Sequence, residues 1–292
     1  MSTLGFVGLG TMGRPMVERL LDAGYEVHGH NRTVAKAQAL IDKGLHWCDT
    51  PREVAEKADI VISMLSDDDA LEAVAGGDGG IIAGLGSGAI YVDMSTVSPS
   101  LSRRLAEQAR KRGAQMLDAP VAGSVPQVEQ GKLTIMVGGD ETAFETVSPI
   151  LGTWGKPCHI GTNGQGLLLK LAINISLAAQ MIAFSEGVLL AERGGIDREL
   201  ALEIMAGSAI GSPMLKARAP FLKKLPEQSW FTLDLLHKDI RLALDAGGQL
   251  KAPLPSAHAA DETLEQAHEA GFGREDIAAV FKALDEGRAG SD

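Results

Sequence analysis

The sequence predicts an α/β N-terminal domain on a doubly wound sheet and an all-α C-terminal domain, joined by one long helix. Three observations predict it. Short β-rich runs alternate with helical runs through the first half of the 292 residues, the pattern of a parallel sheet with helices on both faces. No convincing strand follows residue 163. From Gly166 to Arg193 apolar residues recur at helical spacing, and at ~1.5 Å per residue this segment is ~40 Å long. The domains are placed at 1–163 and 164–292, with no low-complexity linker or internal repeat between them.

The elements follow in order. LGFVGLG at 4–10 reads as a strand and MGRPMVERLLDAG at 12–24 as a helix ending on Gly24. YEVHGHN at 25–31 is a strand, and VAKAQALIDKG at 34–44 is a helix ending on Gly44. ADIVISMLS at 58–66, AIYVDMS at 89–95, AQMLDAPV at 114–121 and KLTIMVGG at 132–139 are further strands. Helical segments lie between most of them, including 99–112. Gly194 and Gly195 stop the long helix, and others are expected near 197–206, 231–246, 254–270 and 274–285.

Composition narrows the class. With 45% hydrophobic and 22% charged residues the chain reads as soluble and globular; 4% aromatic residues and 35 glycines suit closely packed strand–helix units. A net charge of -11 and the lack of any long basic run argue against a nucleic-acid partner. ARKRG at 109–113 closes a helix, where cations are favoured. Cys48 and Cys158 cannot build a disulfide framework, so a reducing compartment is expected. The N-terminus lacks a basic region followed by an apolar core, so no signal peptide is expected and the location is read as cytoplasmic. Seven histidines lack metal-ligand spacing, and His28 and His30 read as one face of a strand; no metal is expected. The run from Gly166 to Ala191 is long enough to cross a membrane, but Lys170, Asn174, Gln180 and Glu186 lie within it. It reads as a buried helix, with no membrane partner.

The first candidate site is the loop Gly8-Leu9-Gly10-Thr11-Met12-Gly13, a G-x-G-x-x-G between strand and helix. Gly8 allows the tight turn, Gly10 lets a pyrophosphate approach the backbone, and Gly13 lets the helix pack on the strand. The helix N-terminus then favours the anion. The fold is therefore of Rossmann type and the ligand a dinucleotide. The second strand ends in Asn31, Arg32 and Thr33, where an NAD-binding fold carries an acidic residue for the ribose diol. With no carboxylate to repel a 2′-phosphate and Arg32 to pair with it, NADP(H) is the expected cofactor. Met64 and Leu65, at the end of another strand, are expected to line the adenosine side.

Four motifs then resemble the β-hydroxyacid dehydrogenase family. FVGLGTMGRPM at 6–16 resembles its N-terminal signature and DAPVAGSVPQVEQGKLTIMVGG at 118–139 its substrate loop. GTNGQGLLLKLAIN at 161–174 resembles its catalytic stretch and KDIRLALD at 238–245 its C-terminal helix motif. NRT at 31–33, DMST at 93–96 and SPMLKARAP at 212–220 look most like the glyoxylate and succinic semialdehyde reductase branch, which uses NADPH. Two positions depart from the pattern. Ala122 stands where the loop usually has serine, removing one hydroxyl from the expected carboxylate clamp, and Arg19 stands where asparagine is common.

The resemblance implies reduction of a small aldehyde that bears a carboxylate. Such a reaction needs a proton beside the hydride, and Lys170, about one turn into the long helix, is the expected acid. Asn174, four residues on, shares its face and either orients it or holds substrate. Gly164 and Gly166 are expected to keep the approach free of side chains. Lys170 is expected at the cleft between the domains, its pKa lowered by desolvation and the helix end and raised again by a bound carboxylate. Ser95 and Thr96, at the C-terminal edge of a strand, are expected against substrate, with Thr96 also near cofactor. Ala122, Gly123 and Ser124 resemble the clamp, with the Gly123 and Ser124 N–H groups as donors. Phe231 and Asp239 are expected to line the substrate site, with Asp239 orienting a lysine, and Lys238 to meet cofactor charge.

Three other readings stand beside this one. A 3-hydroxyisobutyrate or other β-hydroxyacid dehydrogenase would favour NAD, against the NRT sequence. An imine reductase would share the fold but generally lacks a lysine at the place that Lys170 holds in this chain. A non-catalytic cofactor-binding scaffold would keep the glycine loop and lose the catalytic lysine, whereas Lys170 and Asn174 are both present. The long helix is expected to bury more apolar surface than one chain covers, which implies a homodimer or homotetramer.

Overall fold

The computed structural model describes residues 2–286, and the chain divides into two compact units, Met1–Lys170 and Leu171–Asp292. In the first unit β1 (Leu4–Val7), β2 (Val27–His30), β3 (His46–Trp47), β4 (Ile60–Ser63), β5 (Ile90–Asp93) and β6 (Gln115–Asp118) run parallel in the order β3-β2-β1-β4-β5-β6. They alternate with α1 (Gly13–Asp22), α2 (Gln38–Asp42), α3 (Pro51–Glu56), α4 (Asp68–Ala75), α5 (Ile81–Gly84) and α6 (Pro99–Lys111). The chain winds outward from β1 through β2 and β3, then returns to β4 on the other side. That reversal leaves a crevice at the C-terminal ends of β1 and β4, where ligands bind in such sheets.

Alternation along the strands covers both faces. Leu4 and Phe6 of β1, Ile60 and Ile62 of β4, and Ile90 and Val92 of β5 pack on one face with α1 and with α8 (Glu141–Leu151). Val7, Val61 and Tyr91 point the other way, onto α3, α4, α5 and α6. This is the two-sided burial that a parallel sheet requires.

The end of the sheet departs from the parallel pattern. β7 (Val121–Ala122) and β6 both pair antiparallel to β8 (Leu133–Gly138), while β9 (Gly155–Gly161) pairs parallel to β8. Two residues separate β6 from β7, and only the short helix α7 (Val125–Glu129) lies between β7 and β8, so these links suit antiparallel neighbours; α8 supplies the longer crossover to β9. Neither β3 nor β9 is predicted from the sequence. β3 has two residues, and β9 carries Gly155, Pro157 and Gly161, which break a strand pattern. Gly155 is required there, because a Cβ would lie 1.9 Å from the carbonyl oxygen of Leu133.

The expected helix at 34–44 is a 3₁₀ turn over Val34–Lys36 followed by α2. α9 (Gln165–Arg193) is the long helix. Leu167, Leu171, Asn174, Ala178, Met181 and Val188 form its buried stripe. By length and composition α9 could cross a membrane, and 39% of its most apolar window is buried within the chain. Leu169 and Leu190 on its other faces are exposed.

The second unit is helical. α10 (Arg198–Gly207), α11 (Pro213–Arg218), α12 (Leu233–Leu250), α13 (Pro255–Ala267) and α14 (Val280–Glu286) pack around Phe184, Leu236, Ile240, Leu264 and Phe281. α11 is absent from the sequence prediction; with six residues it is too short to show a period. α12 starts after the cap Thr232 and runs past the predicted end at 246, through Gly247, where a Cβ would meet the Leu254 side chain at 2.5 Å. The segment predicted as one helix over 274–285 is a 3₁₀ turn, Ile277–Ala279, followed by α14.

Candidate active site

At the end of β1 the chain turns with Gly8 at φ 101°, a conformation that favours glycine. A Cβ on Gly8 would lie 2.3 Å from the Met64 carbonyl oxygen, and one on Gly13 would lie 1.9 Å from the Gly8 oxygen. A Cβ on Gly10 would meet nothing within 4 Å. Two glycines therefore allow close packing, and the middle one faces open space, as backbone approach by a pyrophosphate requires. α1 has no side-chain cap and no acidic residue in its first turn, so its leading N–H groups suit an anion. The loop fits a dinucleotide. Leu9 is buried and Met12 packs on the core, so both support the loop, while Thr11 is exposed.

Asn31 braces this loop. Its Oδ1 accepts the Leu9 N–H at 3.1 Å, and its Nδ2 donates to the Thr33 carbonyl at 3.0 Å. Arg32 and Thr33 are exposed beside it. Arg32 makes no hydrogen bond or ion pair among the described residues.

The ends of β4 and β5 are tied by a buried network. The Leu65 N–H donates to Ser95 Oγ at 2.8 Å, and Ser95 Oγ and Ser63 Oγ each donate to Asp93 Oδ1 at 2.6 Å. Ser95 is fully buried, so its hydroxyl supports the crevice from behind; the half-buried Thr96 follows it.

In the loop 122–124, Gly123 has φ 130° and leaves no room for a side chain, since a Cβ would lie 2.6 Å from Leu133 Cδ2. Ala122 and Ser124 are half-buried. The Ser124 N–H and hydroxyl both donate to Gln127 Oε1, each at 2.9 Å. Of the two backbone donors expected for a carboxylate, the one on Ser124 therefore already has an acceptor.

Sequence reasoning missed Asp118, the last residue of β6. It is fully buried, and its oxygens accept the Gly164 N–H at 2.7 Å and the Leu167 N–H at 3.0 Å, at the start of α9. Asn163 Nδ2 donates to the Met116 carbonyl at 2.7 Å and ties the same turn to β6. Gly166 packs tightly: a Cβ there would lie 2.3 Å from the Met136 oxygen and 2.9 Å from Asp118 Oδ2. Gly166 therefore makes room for sheet and carboxylate, which corrects the expectation of an open approach. In sequence Asp118 opens the 118–139 stretch that resembles the family's substrate loop, but that resemblance gives it no role of its own.

Burial pushes the Asp118 pKa up to about 6, with the backbone N–H groups of Gly164, Leu167 and Asp118 itself opposing the rise. An acid raised in this way adds stability below its ordinary value of 3.8 and loses it as pH rises through 6. The loss is roughly 3 kcal/mol at ~1.4 kcal/mol per pKa unit. Relative to wild type, Asp118→Asn is expected to become more stable on going from pH 5 to pH 8, as checked by thermal unfolding at both values.

Lys170 is buried near the start of α9, 9% exposed, and Asn174 is fully buried one turn later on the same helix face. In the second unit Asn174 Nδ2 donates to Asp239 Oδ2 at 2.6 Å, and Lys238 Nζ lies 2.9 Å from Asp239 Oδ1. Asp239 therefore links Asn174 to Lys238. Phe231 is half-buried against the helical core, and its N–H donates to Asp276 Oδ2 at 3.3 Å. Asp276 also accepts from the Trp230 N–H and from Arg218 Nε, both at 3.1 Å. Among the described residues no group of three or more His, Cys, Asp or Glu is placed to hold a metal ion.

A glycine loop at a sheet's switch point, a buried lysine on the following long helix and a helical second unit define a dinucleotide-dependent oxidoreductase. Comparison with known proteins agrees. The family profile described as the NAD binding domain of 6-phosphogluconate dehydrogenase matches residues 3–164. The profile described as NAD-binding of NADP-dependent 3-hydroxyisobutyrate dehydrogenase matches residues 164–284. The chain is 35% identical to 2-(hydroxymethyl)glutarate dehydrogenase of Eubacterium barkeri, over 97% of this chain and 95% of that protein. It is 36% identical to glyoxylate/succinic semialdehyde reductase 1 of Arabidopsis thaliana, over 96% and 98%. The structure of Mycobacterium tuberculosis 3-hydroxyisobutyrate dehydrogenase with L-serine superposes with a TM-score of 0.85 at 28% identity, covering 97% of this chain and 99% of that one. The chain belongs to the β-hydroxyacid dehydrogenase family. It is an NAD(P)-dependent oxidoreductase acting on hydroxyl and aldehyde groups of small molecules.

Proposed function

We propose that the protein reduces a small carboxylate-bearing aldehyde, of the size of glyoxylate or succinic semialdehyde, to the hydroxy acid, with NADPH as cofactor and Lys170 as the proton donor. The observation that carries the reading is the burial of Lys170 one turn before Asn174 on α9. A buried ammonium is costly unless it has work and partners. Similarity to a glyoxylate/succinic semialdehyde reductase supports the substrate class.

The residues divide as follows. Residues 1–163 bind the nucleotide: Gly8, Gly10 and Gly13 cradle its pyrophosphate, with Leu9, Thr11 and Met12 between them, and Met64, Leu65 and Thr96 line the crevice. When bound, the nicotinamide supplies the hydride. Lys170 holds the proton that the carbonyl oxygen receives, and its neutral amine accepts that proton in the oxidation direction. Asn174, held by Asp239, fixes the polar wall beside it. Lys238, on the same carboxylate, places a second cation for the charge of cofactor or substrate. Ala122, Gly123 and Ser124 receive the substrate carboxylate once Gln127 releases the Ser124 N–H. Ser95 acts from behind the crevice, and Phe231 is assigned to the substrate. Residues 164–292 carry the substrate wall and the contacts of a cytoplasmic homodimer or homotetramer. Exposed Leu190, Leu200 and Ile204 support that assembly.

The choice of NADPH rests on Asn31 in place of a carboxylate and on the exposed Arg32. A charge-assisted bond to the 2′-phosphate contributes ~1.5–3 kcal/mol, so Arg32→Ala is expected to raise KM for NADPH about 10- to 100-fold and leave KM for NADH unchanged. Steady-state NADPH and NADH consumption with glyoxylate and succinic semialdehyde tests both parts. Equal use of the two cofactors by the wild type would remove the role of Arg32, and no turnover of either aldehyde would remove the substrate class.

A further inference from the structure

We propose that Asp118 is a positioning residue for the reaction: its carboxylate locks the first turn of α9 to the sheet and so fixes where Lys170 sits. The inference rests on the reading of Lys170 as proton donor and adds a residue that touches neither substrate nor cofactor.

The start of α9 is capped unlike other helices of the chain. Thr50, Asp67, Ser98, Asp140, Asp197, Ser212 and Thr232 each accept an N–H three residues ahead, within their own helix turn. Such a cap satisfies the leading donors from within the helix turn and does not tie the helix end to another element. Asp118 instead reaches across 46 and 49 residues, from the end of β6 to Gly164 and Leu167. Two oxygens on two N–H groups of one turn set both the axial position and the rotation of the helix. Lys170 lies three residues after Leu167, within one turn of the lock.

The surroundings are shaped to admit this carboxylate. A Cβ on Gly138 would lie 2.7 and 2.8 Å from its two oxygens, and one on Gly166 would lie 2.9 Å from Oδ2. Glycines on both sides let the carboxylate press against β8 and against the helix. Its raised pKa marks it as a group that burdens the fold when ionised. Serine and threonine cap other helices of the chain without that burden.

The test uses Asp118→Asn and Asp118→Ser in the full chain, each alone and combined with Lys170→Ala. Asparagine sets an NH₂ against one of the two N–H donors, and serine keeps a single acceptor. The expected result is a fall in kcat for aldehyde reduction of about 10- to 100-fold, the scale of a 1 Å misplacement of a reacting group. KM for NADPH stays within about twofold. In the Lys170→Ala background the same substitutions cause no further loss, because residues that act through one group are not additive. Unchanged kcat in folded single variants would overturn the proposal. So would an equal further loss in the Lys170→Ala background, a parallel loss of NADPH binding, or failure of both variants to fold, which would assign Asp118 to stability alone. If Lys170→Ala alone keeps full turnover, the assignment of the proton donor fails first, and the two failures are told apart.

Discussion

A Lys170→Ala enzyme is expected to bind NADPH as tightly as the wild type and to reduce aldehyde ~10²–10⁴ times more slowly, the usual contribution of one general acid. The cofactor loop and the lysine are built from different elements. Gly8, Gly10 and Gly13 lie at the β1–α1 turn, whereas Lys170 lies on α9. Truncating the lysine leaves the loop, its Asn31 brace and the exposed Arg32 in place. The loss should therefore fall on kcat. NADPH fluorescence titration and single-turnover oxidation of bound NADPH separate the two quantities. A variant that keeps wild-type single-turnover rates would show that another group delivers the proton.

Asp276→Ala should lose ~3–5 kcal/mol of unfolding free energy, the cost of breaking one side of a buried ion pair. Asp276 is fully buried and Arg218 nearly so, with their atoms 3.1 Å apart. The carboxylate also takes the Trp230, Phe231 and Ala278 N–H groups. Alanine would strand a guanidinium and three donors together, and each lost acceptor carries a desolvation cost. Phe231, which follows Trp230, should lose its fixed place as well. Urea denaturation followed by the tryptophan signal checks this. A change below about 1 kcal/mol would mean that water replaces the carboxylate without penalty.

Both predictions show how unevenly the site is written in the chain. Lys170 stands out because a cation within an apolar helical run violates the surrounding pattern, and such violations mark function. The glycine loop stands out because a positive φ and close packing need residues without a Cβ, a demand stated within six positions. The buried stripe of α9 is likewise a local period. Asp118 opens the 118–139 motif, but nothing in that stretch shows that its partners are the N–H groups of Gly164 and Leu167. The same holds for Asp276, whose arginine partner lies 58 residues away. Asp239 is expected at the site from its motif, but its partner Asn174, 65 residues away, is not legible in the sequence.

By itself the sequence determined the alternation of strand and helix, the dinucleotide loop, the long helix and the lysine upon it. Each follows from a backbone preference or an apolar period that a short stretch of chain expresses. Only the tertiary structure decided the antiparallel end of the sheet, the engagement of Ser124 by Gln127, the burial of Ser95 behind the crevice and the lock of Asp118 on α9. The physical reason is that a buried polar group must find its partner wherever packing brings one within about 3 Å, and distance along the chain does not set that choice.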